Sequence, residues 1–451
     1  MDQRLIILET LLLLDDPEMP SGRTIKQVLD KYSHLKKQER SFIKRILEGC
    51  LERRIELDHI INCFSKTKTS KMKPVIRAIL RMSVYQLKYM DSIPAPAVCN
   101  EAVKLAEKKG FSGLKGFVNG VLRTVARQMD EIEYPDEDMP QGMSVRYSCP
   151  EWLVKQLMCE QGSVNTHKIL ADSLRPSDIY VRTNLSRITP ERLAEQLENE
   201  GAGCEEAPYL PYALRLKDID SVSRIRSFGA GLFQIQDIGS MLVTHIAGIK
   251  RGDTVFDVCA SPGGKSMHAL DILDGTGHLY AFDVSEKKVE PILENAARMG
   301  GSNYDVRVAD ATEFHPEYKE KADILIADLP CSGLGVMGRR NDIKYNMTKD
   351  KEDSLVTLQR AILVNVSRYV KPGGSMIFST CTVHRAENED NVRWILENLP
   401  FEAGSMDEYL PEELKCGTSA KGYIQLIPGV HKCDGFFISK FRKKTCCPPK
   451  R

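Results

Sequence analysis

Short apolar segments alternate with helical stretches over residues 229–442, and this alternation restricts the fold more than any other feature of the sequence. Strands separated by helices are typical of a parallel, doubly wound α/β sheet, so we expect one α/β domain over 229–442. The segments predicted as strands are 254–259, 279–284, 305–309, 324–327, 375–379 and 436–441.

Composition divides the rest of the chain into four parts. Residues 1–127 repeat apolar positions every three or four residues, which predicts an all-α bundle. Residues 128–145 contain acidic residues but no Lys or Arg, which predicts an acidic linker. In 146–228 we expect a small α+β domain. Its predicted elements are a helix at 151–158, strands at 179–185 and 213–216, and a helix after Thr189. The basic tail 443–451 is predicted to be disordered.

Neither the cysteines nor the apolar runs indicate disulfides, a bound metal or a membrane segment. The 13 cysteines are odd in number, irregularly spaced and free of C-x-x-C pairs. The longest apolar run near the start, 11–14, is too short to span a membrane, and no secretory signal pattern is present. We therefore expect a cytoplasmic protein that binds no metal and acts as a monomer.

The net charge of +1 hides an uneven distribution of charge. Residues 1–130 contain 24 Lys and Arg against 15 Asp and Glu, and no acidic residue lies between His59 and Met90. A basic block of this kind binds polyanions such as RNA, although a solvated helix face would have the same composition. The basic residues of the block are Lys66, Lys68, Lys71, Lys73, Arg77, Arg81 and Lys88.

The loop after the first predicted strand of the α/β region has the features of a ligand-binding turn. Ligands of open α/β sheets bind at the carboxyl ends of the strands. Paired glycines allow a backbone to approach a ligand closely, and the N-terminus of the next helix favours an anionic group. The spacing matches neither a dinucleotide fingerprint nor a phosphate-binding Walker loop. This glycine-rich loop consists of Cys259, Ala260, Ser261, Pro262, Gly263, Gly264 and Lys265.

The next four strands lead to carboxylates or thiols. Asp283 ends the second strand at the spacing of an acidic residue that binds a ribose diol, and Asp310 follows the third. The fourth strand leads to Asp328 and Cys331, and the fifth to Cys381. A single terminal Asp is often a helix cap, but a set at successive strand ends is better explained by one ligand crevice.

Three motifs give the chain a family resemblance. D-V-C-A-S-P-G-G-K at 257–265, A-D-L-P-C-S-G-L-G-V at 327–336 and S-T-C-T-V-H-R-A-E-N-E at 379–389 resemble those of bacterial 16S ribosomal RNA cytosine-5 methyltransferases of the RsmB, Sun and Fmu type. Residues 1–127 resemble the NusB-like RNA-binding domain of that family. The resemblance covers nearly the whole chain and implies a Rossmann-like methyltransferase domain over 229–442.

The resemblance also implies a cofactor and a substrate. The glycine-rich loop, Asp283, Asp310 and Asp328 would hold S-adenosylmethionine, with Asp283 on the ribose hydroxyls and Asp310 near the adenine. The substrate would be 16S ribosomal RNA, positioned by residues 1–127 and 146–228.

Two cysteines have separate roles in the family that the chain resembles. Cytosine C5 is a poor nucleophile, and addition of a thiolate at C6 activates it by dividing one hard step into two easier ones. The T-C cysteine, here Cys381, attacks, and the P-C cysteine, here Cys331, assists release. Asp328 would bind the N3/N4 edge of the base, which must leave its stack to reach the thiol.

Two other functions are compatible with parts of the sequence. One is a non-catalytic RNA-binding or antitermination factor with a relict methyltransferase fold, which the intact strand-end residues argue against. The other is a DNA cytosine-5 enzyme, which attacks with the P-C cysteine and does not need the T-C cysteine. Four positions depart from the family pattern, with Ser261 and Leu329 in place of alanine and with Arg385 and Ala386 in place of Pro-Glu.

Overall fold

The computed structural model describes residues 2–16, 19–217, 219 and 221–445. Contacts divide the chain into two compact units, which are 1–175 with 337–347 and 176–336 with 348–451. Among the described residues, no helix is both long and apolar enough to cross a membrane.

The first unit is a bundle of helices, as predicted. Asp2 caps its first helix by accepting from the Leu5 amide at 3.2 Å, and Pro74 occupies the first turn of another, where no amide proton is needed. Gly49 allows two helices to approach closely, because a Cβ there would overlap the ring of Tyr85. The longer helices are Gln3–Leu13, Ser21–Lys31, Lys37–Glu52, Arg54–Phe64, Pro74–Tyr89, Ala95–Lys108, Lys115–Arg127, Pro140–Arg146 and Glu151–Asp172.

Part of the predicted linker is structured within this unit. Residues 128–145 include most of the helix Pro140–Arg146, and the Tyr134 hydroxyl donates to Oε1 of Glu56 at 3.1 Å. The helix predicted at 151–158 continues to Asp172, with Gly162 in a non-helical conformation (φ 76°) inside it. The acidic composition therefore describes the surface of this segment, while its aromatic side chain is anchored on the bundle.

Residues 337–347 interrupt the predicted α/β domain and pack in the first unit. The Lys344 ammonium is almost fully buried and donates to the Glu52 carbonyl at 3.0 Å. Burial lowers the pKa of Lys344 to about 8. The Tyr345 hydroxyl donates to the Ser148 carbonyl at 2.8 Å. Backbone carbonyls thus anchor a segment that contains several charged residues. The spacing of apolar residues in the sequence does not predict this packing.

The second unit begins with a small antiparallel sheet that has the order β2-β3-β1-β4. The sequence predicts two of its strands and misses the short β2 and β4. Thr189 caps the helix Pro190–Asn199 by accepting from the Arg192 amide at 3.4 Å. The strands are β1 Ile179–Thr183, β2 Gly203–Glu206, β3 Ala213–Lys217 and β4 Phe233–Ile235.

The large sheet of this unit has the order β10-β12-β9-β8-β5-β6-β7, and β11 pairs with β12. Pairing is parallel from β7 to β9, but β10 and β11 are antiparallel to β12, and β12 is antiparallel to β9. The strands are β5 Thr254–Asp257, β6 His278–Asp283, β7 Tyr304–Val308, β8 Ala322–Asp328, β9 Val370–Thr380, β10 Phe401–Ala403, β11 Tyr423–Leu426 and β12 Phe436–Lys443.

The expectation of a fully parallel sheet is wrong, because the sheet is mixed. Parallel neighbours need a long crossover, whereas β11 leads to β12 through a short connection that reverses the chain. Lys443 is the last residue of β12 and donates to the Val370 carbonyl at 2.7 Å, so the predicted disordered tail does not begin at 443. Residues 446–451 lie outside the described residues.

Helices cover both faces of the large sheet, as the doubly wound prediction requires. Alternate strand residues point to opposite cores, so that Val255 and Ile326 belong to one cluster, and Phe256 and Leu325 to the other. The longer helices of the second unit, besides Pro190–Asn199, are Ile238–Ala247, Gly264–Leu273, Glu286–Met299, Lys349–Val366 and Glu389–Asn398.

Candidate active site

Parallel pairing brings the carboxyl ends of five strands to one edge of the large sheet. Asp283 at the end of β6 lies opposite Val308 at the end of β7. Asp328 at the end of β8 lies opposite Ser379 near the end of β9. The candidate residues therefore follow strands that end along the edge where open α/β sheets bind ligands.

The glycine-rich loop turns sharply between β5 and the helix Gly264–Leu273. Gly263 has a φ of +101°, which favours glycine, and a Cβ there would lie 3.3 Å from the Cα of Ile292. The Ser261 amide donates to Oδ2 of Asp283 at 3.0 Å. The loop is therefore fixed to the end of β6, and its backbone rather than a side chain forms the turn, which fits a closely bound cofactor.

Other loop residues are enclosed. The buried Ala260 donates its amide to the Phe282 carbonyl at 2.9 Å, and the Pro262 carbonyl accepts from the Asn295 side chain at 2.9 Å. Burial, with nearby carboxylates, raises the pKa of the Cys259 thiol, which keeps it neutral. Cys259 thus supplies backbone and shape, not a nucleophile.

Asp283 is buried and accepts two backbone amides beside an ion pair. Its Oδ2 accepts from the Ser261 amide at 3.0 Å, its Oδ1 accepts from the Val284 amide at 2.8 Å, and the Lys288 ammonium forms an ion pair with Oδ1 at 3.1 Å. A carboxylate has about four acceptor sites, of which the amides fill two and one faces the ammonium, so one remains for an outside hydroxyl. The side chains of Val284 and Val308 beside it are 52% and 49% exposed and offer an apolar surface for a flat ring.

Asp310 follows β7 as predicted, and one of its oxygens is used locally. Oδ1 accepts from the Thr312 amide at 2.8 Å and from the Thr312 hydroxyl at 2.7 Å. The amide hydrogen bond lowers the pKa of Asp310, so the carboxylate is charged. Oδ1 therefore closes a local Asx turn with Thr312.

Lys265 and Asp328 form an ion pair at the centre of the edge. The ammonium of Lys265 donates to Oδ2 of Asp328 at 2.6 Å and to the Ser240 hydroxyl at 3.0 Å. The Ser379 hydroxyl donates to Oδ1 of Asp328 at 2.8 Å. The ion pair therefore holds the Lys265 ammonium at the end of β8.

The two thiols at the ends of β8 and β9 are in contact. Sγ of Cys331 lies 3.2 Å from Sγ of Cys381, and both cysteines are free. The amide of Cys381 also donates to Sγ of Cys331 at 3.3 Å. The hydrogen bond with Cys381 and burial raise the pKa of Cys331 well above its usual range. Cys331 is therefore the thiol that keeps its proton.

Sequence reasoning missed four polar residues at this edge. Asp257 ends β5 and is buried, and its pKa rises to about 7 chiefly because of that burial. Its position at a strand end was a usable signal. Glu387 and Asn388 are almost fully buried next to the thiol loops, and their place inside the motif 379–389 was a usable signal as well. No sequence signal marks Ser240.

The fold and the site together define a Rossmann-like methyltransferase, with a glycine-rich turn after the first parallel strand and an acidic residue at the end of the second. Three family models match the chain. They are 16S rRNA methyltransferase RsmB/F at residues 245–442, the NusB family at 1–127, and the RsmF/B-like ferredoxin-like domain at 149–223.

Relatives match over nearly the whole chain. The probable ribosomal RNA small subunit methyltransferase B of Bacillus subtilis (strain 168) is 33% identical over 442 residues, covering 97% of this chain and 98% of that protein. Ribosomal RNA small subunit methyltransferase B of Cronobacter sakazakii (strain ATCC BAA-894) is 29% identical, covering 94% and 95%. The chain therefore belongs to the ribosomal RNA small subunit methyltransferase B family, and its methyl donor is S-adenosylmethionine.

A solved structure confirms the fold across both units. The crystal structure of PH0851 aligns with a TM-score of 0.79 at 24% identity, covering 98% of this chain and 99% of that chain. At this identity the likeness concerns the fold alone.

Proposed function

We propose that the protein methylates C5 of a specific cytosine in 16S ribosomal RNA through a covalent bond between Cys381 and C6 of the base. The observation that carries the proposal is the pair of free thiols 3.2 Å apart at the ends of β8 and β9. A pair of thiols suits this reaction, because one thiol can attack C6 as a thiolate and the other can remove the C5 proton after methyl transfer.

S-adenosylmethionine would lie along the ends of β5 to β7 and supply the methyl group. The remaining acceptor site of Asp283 suits a ribose hydroxyl, and the exposed side chains of Val284 and Val308 suit the adenine. Asp310 would lie near the adenine edge, and the glycine-rich loop would face the methionine part.

Attack begins at Cys381. The raised pKa of Cys331 keeps that thiol protonated, so its proton can be donated to a Cys381 thiolate 3.2 Å away. The Lys265–Asp328 pair would meet the N3/N4 edge of the base. As the thiolate adds to C6, negative charge develops toward N3, and a proton held by this pair neutralises it there.

Release needs the opposite behaviour from Cys331. Once the bond between Cys381 and C6 has formed, the largest cause of the raised pKa of Cys331, its hydrogen bond with the Cys381 sulfur, is lost, while burial still raises that pKa. Cys331 can then lose its proton to solvent and accept the C5 proton of the methylated base. The electrons of the C5–H bond restore the C5–C6 double bond and expel Cys381 as a thiolate. Cys331 regains its thiol form, and the proton at N3 returns to the Lys265–Asp328 pair.

The first unit would bind RNA phosphates through a smaller surface than the sequence indicates. Three basic residues of the block form ion pairs in the bundle, namely Arg77 with Asp15 at 2.9 Å, Arg81 with Asp58 at 2.6 Å and Lys88 with Glu56 at 2.7 Å. The exposed basic side chains of the block are Lys66, Lys68, Lys71 and Lys73. We assign phosphate contact to these four lysines. A ribosomal RNA substrate also implies a cytoplasmic location.

The proposal is tested with labelled S-adenosylmethionine and a 16S ribosomal RNA transcript. Cys381→Ala should lower methylation by at least about 1000-fold and form no covalent RNA adduct, because the attacking group is gone. Cys331→Ala should still transfer the methyl group but stall before release. The stalled enzyme should migrate slowly on a denaturing gel, and only when S-adenosylmethionine is present.

The double variant is the matched control and should form no adduct. Bisulfite sequencing of the transcript should locate one protected cytosine after wild-type treatment. An adduct in Cys381→Ala but not in Cys331→Ala would reverse the two roles and indicate the DNA-type mechanism. Absence of methylation by the wild-type protein on both free transcript and assembled subunits would reject the substrate.

A further inference from the structure

Both chain neighbours of Cys331 are held by buried polar side chains. The Gln359 side-chain amide donates to the Pro330 carbonyl at 2.8 Å. The Ser332 amide donates to Oε2 of Glu387 at 2.9 Å, and the Ser332 hydroxyl donates to Oε1 of the same carboxylate. Gln359 also donates to Oε2 of Glu387 at 2.9 Å, which joins the two supports.

One side chain, Asn388, holds both chain neighbours of Cys381. The Thr380 hydroxyl donates to Oδ1 of Asn388 at 2.5 Å, and Nδ2 of Asn388 donates to the Thr382 carbonyl at 3.0 Å. Asn388 is almost fully buried, so this amide is not available to solvent or to a substrate. Its Nδ2 also donates to Oε1 of Gln425 on β11 at 2.8 Å, which fixes the amide that holds the loop.

Glu387 and Asn388 are consecutive residues. Glu387 ends the turn Arg385–Glu387, and Asn388 follows it directly. The hydroxyls of Ser332 and Thr382 lie 2.7 Å apart and link the loops a second time. A displacement of this turn would therefore move both thiols, whereas loss of one side chain would release only one loop.

Burial of the Glu387 carboxylate costs free energy, which suggests that the side chain has a specific role. The Glu387 side chain is fully buried, and burial raises its pKa above the usual range even though Ser332 and Gln359 donate to it. Well-packed apolar residues often stabilise a core better than a buried charge does. A carboxylate here does what they cannot, because it accepts from two groups next to Cys331 at once.

We propose that Glu387 and Asn388 are positioning residues that act on different thiols, Glu387 on Cys331 during release and Asn388 on Cys381 during attack. The inference rests on the proposed function for the roles of the two thiols. Each side chain fixes the backbone next to one cysteine, and thereby fixes where Sγ points. A displacement of about 1 Å in a reacting group can cost about 100-fold in rate.

Variants of Glu387 and Asn388 should differ in whether the covalent adduct accumulates when they are assayed with a 16S ribosomal RNA transcript and S-adenosylmethionine. Glu387→Gln places an amide donor where the carboxylate accepted, so turnover should fall by about 10- to 100-fold while the covalent adduct accumulates as in Cys331→Ala. Asn388→Ala should lower turnover by a similar factor without adduct. Gln359→Ala should resemble Glu387→Gln. The matched control is Glu397→Gln, because Glu397 lies on the helix Glu389–Asn398 that follows this turn, is exposed and should leave turnover unchanged.

Alkylation by iodoacetamide, followed by mass spectrometry of the full chain, gives a readout independent of methyl transfer. Glu387→Gln should increase the alkylation rate of Cys331 by about tenfold with little change at Cys381, and Asn388→Ala should do the reverse, because a released loop opens more often. Equal increases at both thiols in both variants would mean general loosening and would overturn the separate roles. Wild-type behaviour of both variants would also overturn them.

Failure of the proposed function is recognised separately. If Cys331→Ala forms no adduct while alkylation still separates the two variants, the assigned thiol roles are wrong and the positioning stands. If Cys331→Ala forms the adduct but neither turnover nor alkylation separates the variants, the positioning is wrong and the function stands.

Discussion

The two halves of the active-site edge hold their functional groups in different ways. At the ends of β6 and β7, Asp283 and Asp310 are carried by short turns. The amides that stabilise them lie one or two residues further along the chain or in the glycine-rich loop. At the ends of β8 and β9, the two thiols are enclosed by side chains from distant segments, among them Gln359 and Glu387.

We attribute the difference to the separate roles proposed for the two halves. A cofactor with many polar atoms is recognised by several contacts, so one imprecise contact weakens binding only moderately. A covalent step depends on one sulfur reaching one carbon, and its rate is sensitive to small displacements. We therefore expect variants on the thiol side to change turnover, and variants on the cofactor side to change affinity.

Lys265→Met should have the largest effect among the variants that leave both thiols in place. It removes the cation from Asp328, so turnover should fall by about 100- to 1000-fold, because charge at the base edge is no longer neutralised. Single-turnover methyl transfer measures this. Lys288→Met is the matched control, since it removes the ammonium from Asp283 on the cofactor side. Equal loss of turnover in the two variants would contradict the division into halves.

Asp283→Ala should weaken S-adenosylmethionine binding by about 10- to 100-fold, because hydrogen bonds to a charged group contribute about 1.5–3 kcal/mol each. Turnover at saturating cofactor should be nearly normal. Calorimetric titration and steady-state rates measure the two effects. Asp305→Asn, which changes a half-exposed aspartate in β7, is the control and should bind normally. Unchanged affinity in Asp283→Ala would remove Asp283 from the site.

The four exposed lysines lie outside the active-site edge, so their replacement should change RNA binding and neither of the two halves. Replacing Lys66, Lys68, Lys71 and Lys73 with glutamine should weaken RNA binding by about tenfold, and each lost phosphate contact should flatten the salt slope by about 0.7–0.9. Cofactor affinity and adduct formation at saturating RNA should not change. The control replaces four lysines of the same unit that already pair with carboxylates, Lys104, Lys108, Lys109 and Lys115. An unchanged salt slope would mean that the face is simply solvated.

Asp257→Asn should have the smallest effect on activity and should stabilise the fold at high pH. The pKa of Asp257 rises from 3.8 to about 7 through burial, is lowered by Ser266 and Lys265, and is raised further by Asp328 and Asp283. Between these two pH values the folded protein binds the proton and the unfolded chain does not, so the contribution of Asp257 to stability falls as pH increases from about 4 to about 7.

Unfolding of the full chain in urea at pH 5 and pH 8 measures this effect. An asparagine side chain cannot ionise, so the Asp257→Asn protein should be more stable than wild type at pH 8 by about 1–3 kcal/mol, with a smaller difference at pH 5. A lower stability of the variant at pH 8 would show that the buried carboxylate contributes favourably as an anion.

The sequence by itself determined the positions of six strands of the large sheet and most of the polar residues that follow them. Local chemistry is sufficient for that, because apolar strands, glycine turns and terminal carboxylates are readable over a few residues. The six predicted strands correspond to β5, β6, β7, β8, β9 and β12, and the helical character of residues 1–127 is confirmed. The family resemblance is also confirmed by the matching models.

Only the tertiary structure decided the direction of β12, the packing of residues 337–347 in the first unit, and the partners of the basic block. Each depends on contacts between residues far apart in the chain, such as Lys344 with Glu52 or Arg81 with Asp58. The same is true of Glu387, whose partner Ser332 lies 55 positions away. A local pattern shows which residues are charged, but not whether a charge faces solvent or is neutralised by a distant group.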